Sequence, residues 1–399
     1  MRGSLRACSV AALVAILRPG VAGAADDRTA VAVAGPSGFG LQSADGAYRL
    51  NLRWLLQTDF QAFLIDRPPG VNASSSFVVH FAAVQMSAVM AGGVRAQLFV
   101  DFAQGRVTLL DAWAEVDLAK RMTLRVGKFL YPISEERLTP GIWLPFVSTT
   151  LASVLLPSRN TGIQLYGEAI PGVLKYNVAL TDGVTARIFA RPFSESVVAP
   201  LAKLGMGVGA SYAHRSGLLA SPDLPVLRTY GGRTFFAYDD GAAADGGSWR
   251  VVPHLTWAWG PVAAYADWVH AADHVGGAPI SYDAYGVVAS AVLTGEDAEP
   301  LSYIVPKHPF DPSNGHFGTF LLVGGVGRLA IGANAFRPGA ANPAAASRTA
   351  TVYGGGFNWY PVSGIAVLSS FGHMFFESAG DAPVRPDENV LIVRLQVAL

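Results

Sequence analysis

Residues 48–62 read Tyr-Arg-Leu-Asn-Leu-Arg-Trp-Leu-Leu-Gln-Thr-Asp-Phe-Gln-Ala. In an extended chain Tyr48, Leu50, Leu52, Trp54, Leu56 and Phe60 fall on one side, and Arg49, Asn51, Arg53, Gln57, Asp59 and Gln61 on the other. Side chains of a strand alternate between two faces, so this is a strand with one apolar and one wet face. It is longer than most strands of water-soluble domains, whereas a strand tilted across a bilayer needs roughly 9–11 residues. Leu, Trp and Phe then face lipid, and the arginines face water inside a closed barrel.

Composition agrees. The 399 residues are 51% hydrophobic and 15% charged, too apolar for a disordered chain. Beyond the N-terminus no uncharged apolar run reaches roughly 18 residues, so helical spans are not expected. The 44 Gly, 21 Phe, 13 Tyr and 8 Trp supply turns and aromatic-rich strands. Without helices, only a closed barrel satisfies every backbone N–H and C=O inside lipid. The expected class is therefore all-β: a transmembrane antiparallel β-barrel of about sixteen strands with a long inward-folding loop.

Residues 1–25 read as a signal peptide: Arg2 and Arg6, the apolar run Ala11 to Leu17, then Ala22-Gly23-Ala24. The run is too short for a membrane anchor. The only cysteine, Cys8, lies inside the 1–25 segment, so the chain beyond it would carry none, which suits passage through an oxidising compartment. Residues 26–46 are expected to be a short N-terminal periplasmic segment, and 47–399 the barrel. Losing the leader removes Arg2, Arg6 and Arg18 and no acid, so acids outnumber bases by three. Nothing in this balance suggests nucleic-acid binding.

The alternation recurs along the chain. Candidate strands lie near 48–62, 77–90, 94–102, 108–118, 122–129, 161–168, 173–181, 205–214, 226–238, 249–259, 262–270, 282–293, 316–330, 349–360, 365–377 and 389–399. An even number suits bacterial barrels. If the first strand runs outward, Gly92-Gly93, Ala119-Lys120, Pro171-Gly172, Gly260-Pro261 and Pro361 to Gly364 form short periplasmic turns. Segments 130–160 and 182–204 then lie outside, and 294–315 on the periplasmic side. The first holds Trp143, Phe146, Val147 and Leu151, too apolar for water, and is expected to fold into the lumen.

Selectivity in such a pore rests on charged side chains at its narrow points. The inward basic candidates are Arg49, Arg53, Arg95, Arg125, Lys175 and Arg394. Asp59, Asp101, Asp111, Glu115, Asp117, Glu168 and Asp267 are their acidic counterparts. Arg95 and Arg125 flank a strand carrying Asp111, Glu115 and Asp117, so cross-strand pairs would neutralise part of their field. Two readings fit: structural ion pairs in a wet wall, or a basic row that guides anions. Arg137 and Arg159 stand at the shoulders of the 130–160 loop, either approaching the constriction or pinning the loop against Glu135 or Glu136. Lys307, between prolines, either lines the exit or is solvated.

Enzymatic readings find little support. His270 and His274, the one close histidine pair, sit at a strand end rather than on a helix face, so no metal site is expected. Ser211 and His214 point to opposite faces of one strand. No nucleophile elbow or phosphate-cradling glycine motif appears, so neither a catalytic residue nor a cofactor is expected. Gly354-Gly355-Gly356 inside a strand marks a bend or close packing.

Several motifs resemble the phosphate-selective porin O and P family. They are Leu124-Arg125-Val126-Gly127-Lys128-Phe129 with Pro132, Ser134 and Glu136-Arg137-Leu138-Thr139; Leu156 to Gly162; Leu293-Thr294-Gly295-Glu296-Asp297; Pro306-Lys307-His308-Pro309-Phe310; Asn358-Trp359-Tyr360; and Asn389 to Val397. Their order is kept across roughly residues 40 to 399. The resemblance implies a homotrimer of sixteen-stranded barrels in the outer membrane of a Gram-negative bacterium. It also implies passage of small anions such as phosphate along basic side chains. The surrounding lipid and the barrel-assembly machinery, reading the C-terminal strand, are the other expected partners. Two departures bear on substrate: Val79-His80-Phe81-Ala82-Ala83 carries no arginine where the family often has several, and the chain beyond the leader has only Lys120, Lys128, Lys175, Lys203 and Lys307. Leu399 stands where such barrels usually end in Phe. The expected function is passive diffusion of small hydrophilic solutes with a preference for anions. The alternatives are a weakly selective general porin, or a non-conducting barrel serving as an anchor or lipid-modifying enzyme.

Overall fold

A computed structural model describes residues 30–35, 38–64, 75–381 and 384–398. The 1–25 leader with Cys8, and Leu399, lie outside the described residues. Sixteen strands form one antiparallel ring: β1 (Arg49–Phe63), β2 (Ser76–Met90), β3 (Val94–Asp101), β4 (Thr108–Ala119), β5 (Met122–Leu130), β6 (Arg159–Ile170), β7 (Leu174–Leu180) and β8 (Gly183–Ala190). The second half is β9 (Gly205–His214), β10 (Ala244–Trp259), β11 (Val262–Val275), β12 (Ala278–Val292), β13 (Thr319–Ile331), β14 (Thr349–Val362), β15 (Ile365–Glu377) and β16 (Glu388–Ala398). Each strand pairs with the next. The ring closes where Val390–Ala398 of β16 pairs with Leu55–Phe63 of β1. An N-terminal hairpin, Ala30–Gly35 with Gly38–Ser43, extends this seam by pairing Phe39 to Gln42 with Arg49 to Leu52.

The opening stretch behaves as its alternation requires. Leu50, Leu52 and Trp54 are exposed on the outer wall, while Gln57 and Asp59 are buried inside. The same apolar belt continues through Val126, Ile163, Val178, Ile188, Val208, Leu255, Trp268, Val287, Leu322 and Leu395. So large a continuous apolar surface is stable only against lipid. Short turns gather at the end where the chain terminates. Between β2 and β3, for instance, Gly92 and Gly93 take φ of 83° and 78°, values that exclude most other residues from so tight a hairpin.

Two sequence expectations need correction. Segment 226–238 is not a barrel strand. It forms a short hairpin, Leu227–Arg228 against Thr234–Phe236, inside the long connection from β9 to β10. The missing wall strand is β8, so 182–204 is not an outer loop. It comprises a tight turn, β8 itself, and a connection 191–204 at the terminal end. Residues 226–238 alternate because they pack into a plug, with Leu227, Phe235 and Phe236 fully buried. Alternation reports a buried face without saying whether lipid or protein covers it.

One side of the barrel is filled. Leu227, Phe235 and Phe236 from the 215–243 loop, Ala335, Ala341 and Ala346 from 332–348, and Leu151 and Leu155 from the 131–158 loop pack together. Beneath them lie the inner-wall side chains Val252, Val269, Ile280, Tyr282, Leu329 and Met374. At the terminal end, residues 293–318 fold over the same side, with Ala298, Leu321 and Tyr360 in a second apolar cluster. Each large side chain so buried contributes about 1.5–3 kcal/mol. Open space remains along the opposite wall, β1 to β6.

Candidate functional site

The loop of residues 131–158 enters the lumen and is fixed there by its own short helical turns and by the wall. Ser134 accepts a hydrogen bond from the Arg137 N–H and so caps the turn Glu135–Leu138. Thr150 caps Leu151–Val154 in the same way through the Ser153 N–H. Glu136, buried, joins the two turns. It accepts from the Thr150 N–H (2.9 Å), the Thr150 hydroxyl (2.7 Å), the Tyr265 hydroxyl of β11 (3.3 Å) and the Ser153 hydroxyl. A buried carboxylate is tolerated only with such a set of donors. Arg250 of β10 donates to the Leu155 carbonyl at 2.9 Å, and Asn358 of β14 to the Pro145 carbonyl at 2.7 Å.

The wall beneath this loop is built for close approach. At Gly286 a Cβ would stand 2.4 Å from the Thr150 Cβ, and at Gly325 it would stand 3.0 Å from the Phe146 ring. A Cβ at Gly354 would meet the same ring at 3.5 Å, an ordinary contact, and the Phe371 carbonyl of β15 more tightly at 3.2 Å. Glycine at 286 thus makes room for the loop, while Gly354 packs closely against its neighbouring strand.

Between the loop and the β1–β6 wall runs a cavity of about 500 Å³. Among the described residues its charged lining is four arginines, Arg53, Arg125, Arg137 and Arg159, and two acids, Asp111 and Glu136. Gln57, Gln85 and Gln97 add amides, and Phe81, Phe99, Trp113 and Trp143 add rings. The arginines differ in what they have left to give. Arg125 contacts Glu115 at 2.6 Å, donates to the Tyr166 hydroxyl at 3.0 Å, and stacks 4.2 Å over the Trp113 ring. Arg159 grips both oxygens of Asp111 at 2.7 and 3.3 Å. Arg137 donates to the Ser153 carbonyl while its Nε has no partner among the described residues. Burial pushes its guanidinium below the ordinary value, and Glu136 and Asp267 pull it back up. Arg53 lines the cavity and makes neither an ion pair nor a side-chain hydrogen bond among the described residues.

The other sequence candidates lie elsewhere. Arg49 sits exposed near the terminal end, donating to Gln42 at 3.1 Å. Arg95 bridges Glu115 and Asp117, both at 2.7 Å. Lys175 is exposed and 3.9 Å from Glu168. Arg394 is buried and clasps Asp59 at 2.6 and 2.7 Å across the closing seam. Glu135 turns away from the cavity toward Arg187 on β8, and Lys307 is exposed on the terminal-end segment. Arg187 was invisible to the sequence reading because its strand was missed. It is buried, and it donates to His254 Nε2 at 3.2 Å. The signal lay in Asp182-Gly183, a strong two-residue hairpin marker, followed by outward Val184, Ala186 and Ile188.

Solved structures share the fold of this ring. The outer membrane channel DcaP of Acinetobacter baumannii aligns over 91% of this chain and 100% of its own, with a TM-score of 0.60 and 11% identity. The fold is that of outer-membrane barrels. OmpT of Vibrio cholerae aligns over 88% of this chain and 98% of its own at a TM-score of 0.56 and 11% identity. Salmonella typhi OmpF, in complex with daunomycin, aligns over 88% and 98% at 0.51 and 12% identity. No family model and no curated relative matches the sequence.

Proposed function

We propose that the protein is an outer-membrane channel for passive diffusion of small hydrophilic solutes, preferring anions, and not an enzyme. The observation that carries this is the cavity beside the inward loop, where, among the described residues, arginines outnumber acids and Arg53 has no hydrogen-bond or ion-pair partner. A guanidinium presents planar, paired N–H donors suited to carboxylate and phosphate oxygens. Phosphate-type anions are the class implied by the resemblance to the phosphate-selective O and P porins. The trimer is proposed on the same resemblance, and the structurally similar OmpT of Vibrio cholerae has been solved in a trimer form. Insertion by barrel-assembly machinery through the C-terminal strand belongs to the same reading.

Ion pairs within the wall temper this preference. Arg95, Arg125, Arg159 and Arg394 are engaged by Glu115, Asp117, Asp111 and Asp59. Their net field is therefore reduced, and anion preference is modest. Reconstitution in planar bilayers tests the proposal: discrete channels with an anion-side reversal potential support it, and cation selectivity overturns the preference.

A further inference from the structure

We propose that the constriction favours oxyanions carried on an apolar, above all aromatic, body: a carboxylate or phosphate-type head with a ring behind it. This rests on the channel reading above and adds a substrate class to it.

Arg125, Arg159 and Arg137 spend hydrogen bonds on Glu115 and Tyr166, on Asp111, and on the Ser153 carbonyl. Arg53 alone among the cavity arginines has its donors unclaimed by the described residues. One guanidinium replaces only part of the hydration shell of a small inorganic anion, which then gains little by leaving water. An anion with a single head and an apolar remainder asks less of the site.

The wall next to Arg53 supplies the place for that remainder. Arg53 stands opposite Gln85, Gln85 opposite Phe99, and Phe99 opposite Asp111. Adjacent strands lie ~4.8 Å apart, so Phe99 is two strands, about 10 Å, along the wall from Arg53. Asp111 ends the row already clasped by Arg159, which mutes its repulsion for an incoming anion. Across the gap, Trp143 lines this cavity, borders a second one walled by residues 296–305, and is 38% exposed. A polar head on Arg53 and a ring between Phe99 and Trp143 use both features together. Sites that bind organic ligands have this build, mostly apolar with a few placed polar groups.

The test is open-channel block of the full-length protein in planar bilayers, in potassium chloride of fixed ionic strength. The blockers are benzoate, phenyl phosphate, acetate and inorganic phosphate, with benzyl alcohol as the uncharged control. We expect benzoate, phenyl phosphate or both to block at concentrations roughly tenfold lower than acetate and inorganic phosphate, a difference of about 1.4 kcal/mol. Block by benzoate alone assigns a carboxylate head, and by phenyl phosphate alone a phosphate-type head. Arg53→Gln should remove the aromatic block, and Phe99→Ala should erase the advantage of the ring. Equal block by acetate and benzoate, block by benzyl alcohol matching that of benzoate, or block unchanged in Arg53→Gln would overturn the inference. A channel that conducts but is blocked by none of these overturns it and leaves the channel reading standing. A protein with no conductance overturns both.

Discussion

Gly209 on β9 lies directly beneath the Ile133 carbonyl of the inward loop: a Cβ at this position would stand 2.0 Å from that oxygen. No rotamer relieves such a contact, because both partners are backbone. The loop therefore rests on the wall as a packed layer, and its position sets the width of the gap on the other side. Gly209→Val should lift the loop or strain the strand, at a cost of about 1–3 kcal/mol typical of overpacking. The expected readouts are a lower unfolding midpoint in detergent and altered single-channel conductance. Unchanged values in both would show that the loop does not bear on this strand.

Glu136 holds the two helical turns of the loop together. Glu136→Gln keeps the shape but loses a charged acceptor, and hydrogen bonds to charged groups are worth about 1.5–3 kcal/mol each. The variant should form the barrel yet show faster proteolysis within 131–158 and noisier open-channel current. If current noise and cleavage match the parent, the loop is fixed chiefly by its apolar contacts.

The seam between β16 and β1 depends on the buried Arg394–Asp59 pair. Removing one partner strands a buried charge, so Arg394→Met should destabilise the barrel by roughly 3–5 kcal/mol. Arg394→Met combined with Asp59→Leu should recover much of that loss, since neither charge is then left alone. Urea unfolding in detergent reads both. An equal loss in the single and double variants would contradict this view of the pair.

Asp111 restrains Arg159 and contributes one of two negative charges to the cavity. Asp111→Asn should free that guanidinium and raise the anion-to-cation permeability ratio. Arg53→Gln should lower it. A unit charge ~4 Å away is worth about 1 kcal/mol in water, so each shift should be a few-fold. Reversal potentials in a salt gradient measure both, and shifts in the same direction would contradict the assignment.

The barrel was legible in the sequence wherever lipid covers one face and water the other. Residues 48–62 are the clearest case, because Leu50, Leu52 and Trp54 face outward without competing demands. The reading failed at β8 and at 226–238 for a single reason. Val184, Ala186 and Ile188 form a short outward row, whereas Leu227, Phe235 and Phe236 form a more apolar one that a plug covers. Hydrophobicity favours the second, and only the Asp182-Gly183 turn argues for the first. At the site, the inward side of each strand could be read, but not the partner of each arginine. Pairing across Arg95, Glu115 and Arg125 follows from neighbouring strands. The meeting of Arg159 with Asp111 reaches across β5, from the start of β6 to β4, and needs the register of three strands, which alternation alone does not supply.

The reversal potential of single channels under a potassium chloride gradient decides whether this barrel is an anion-preferring channel. A small, steady conductance, well below that of an unfilled sixteen-stranded lumen, with a reversal potential on the chloride side is the result expected here. A reversal potential on the potassium side, or no channels from correctly folded protein, would contradict it.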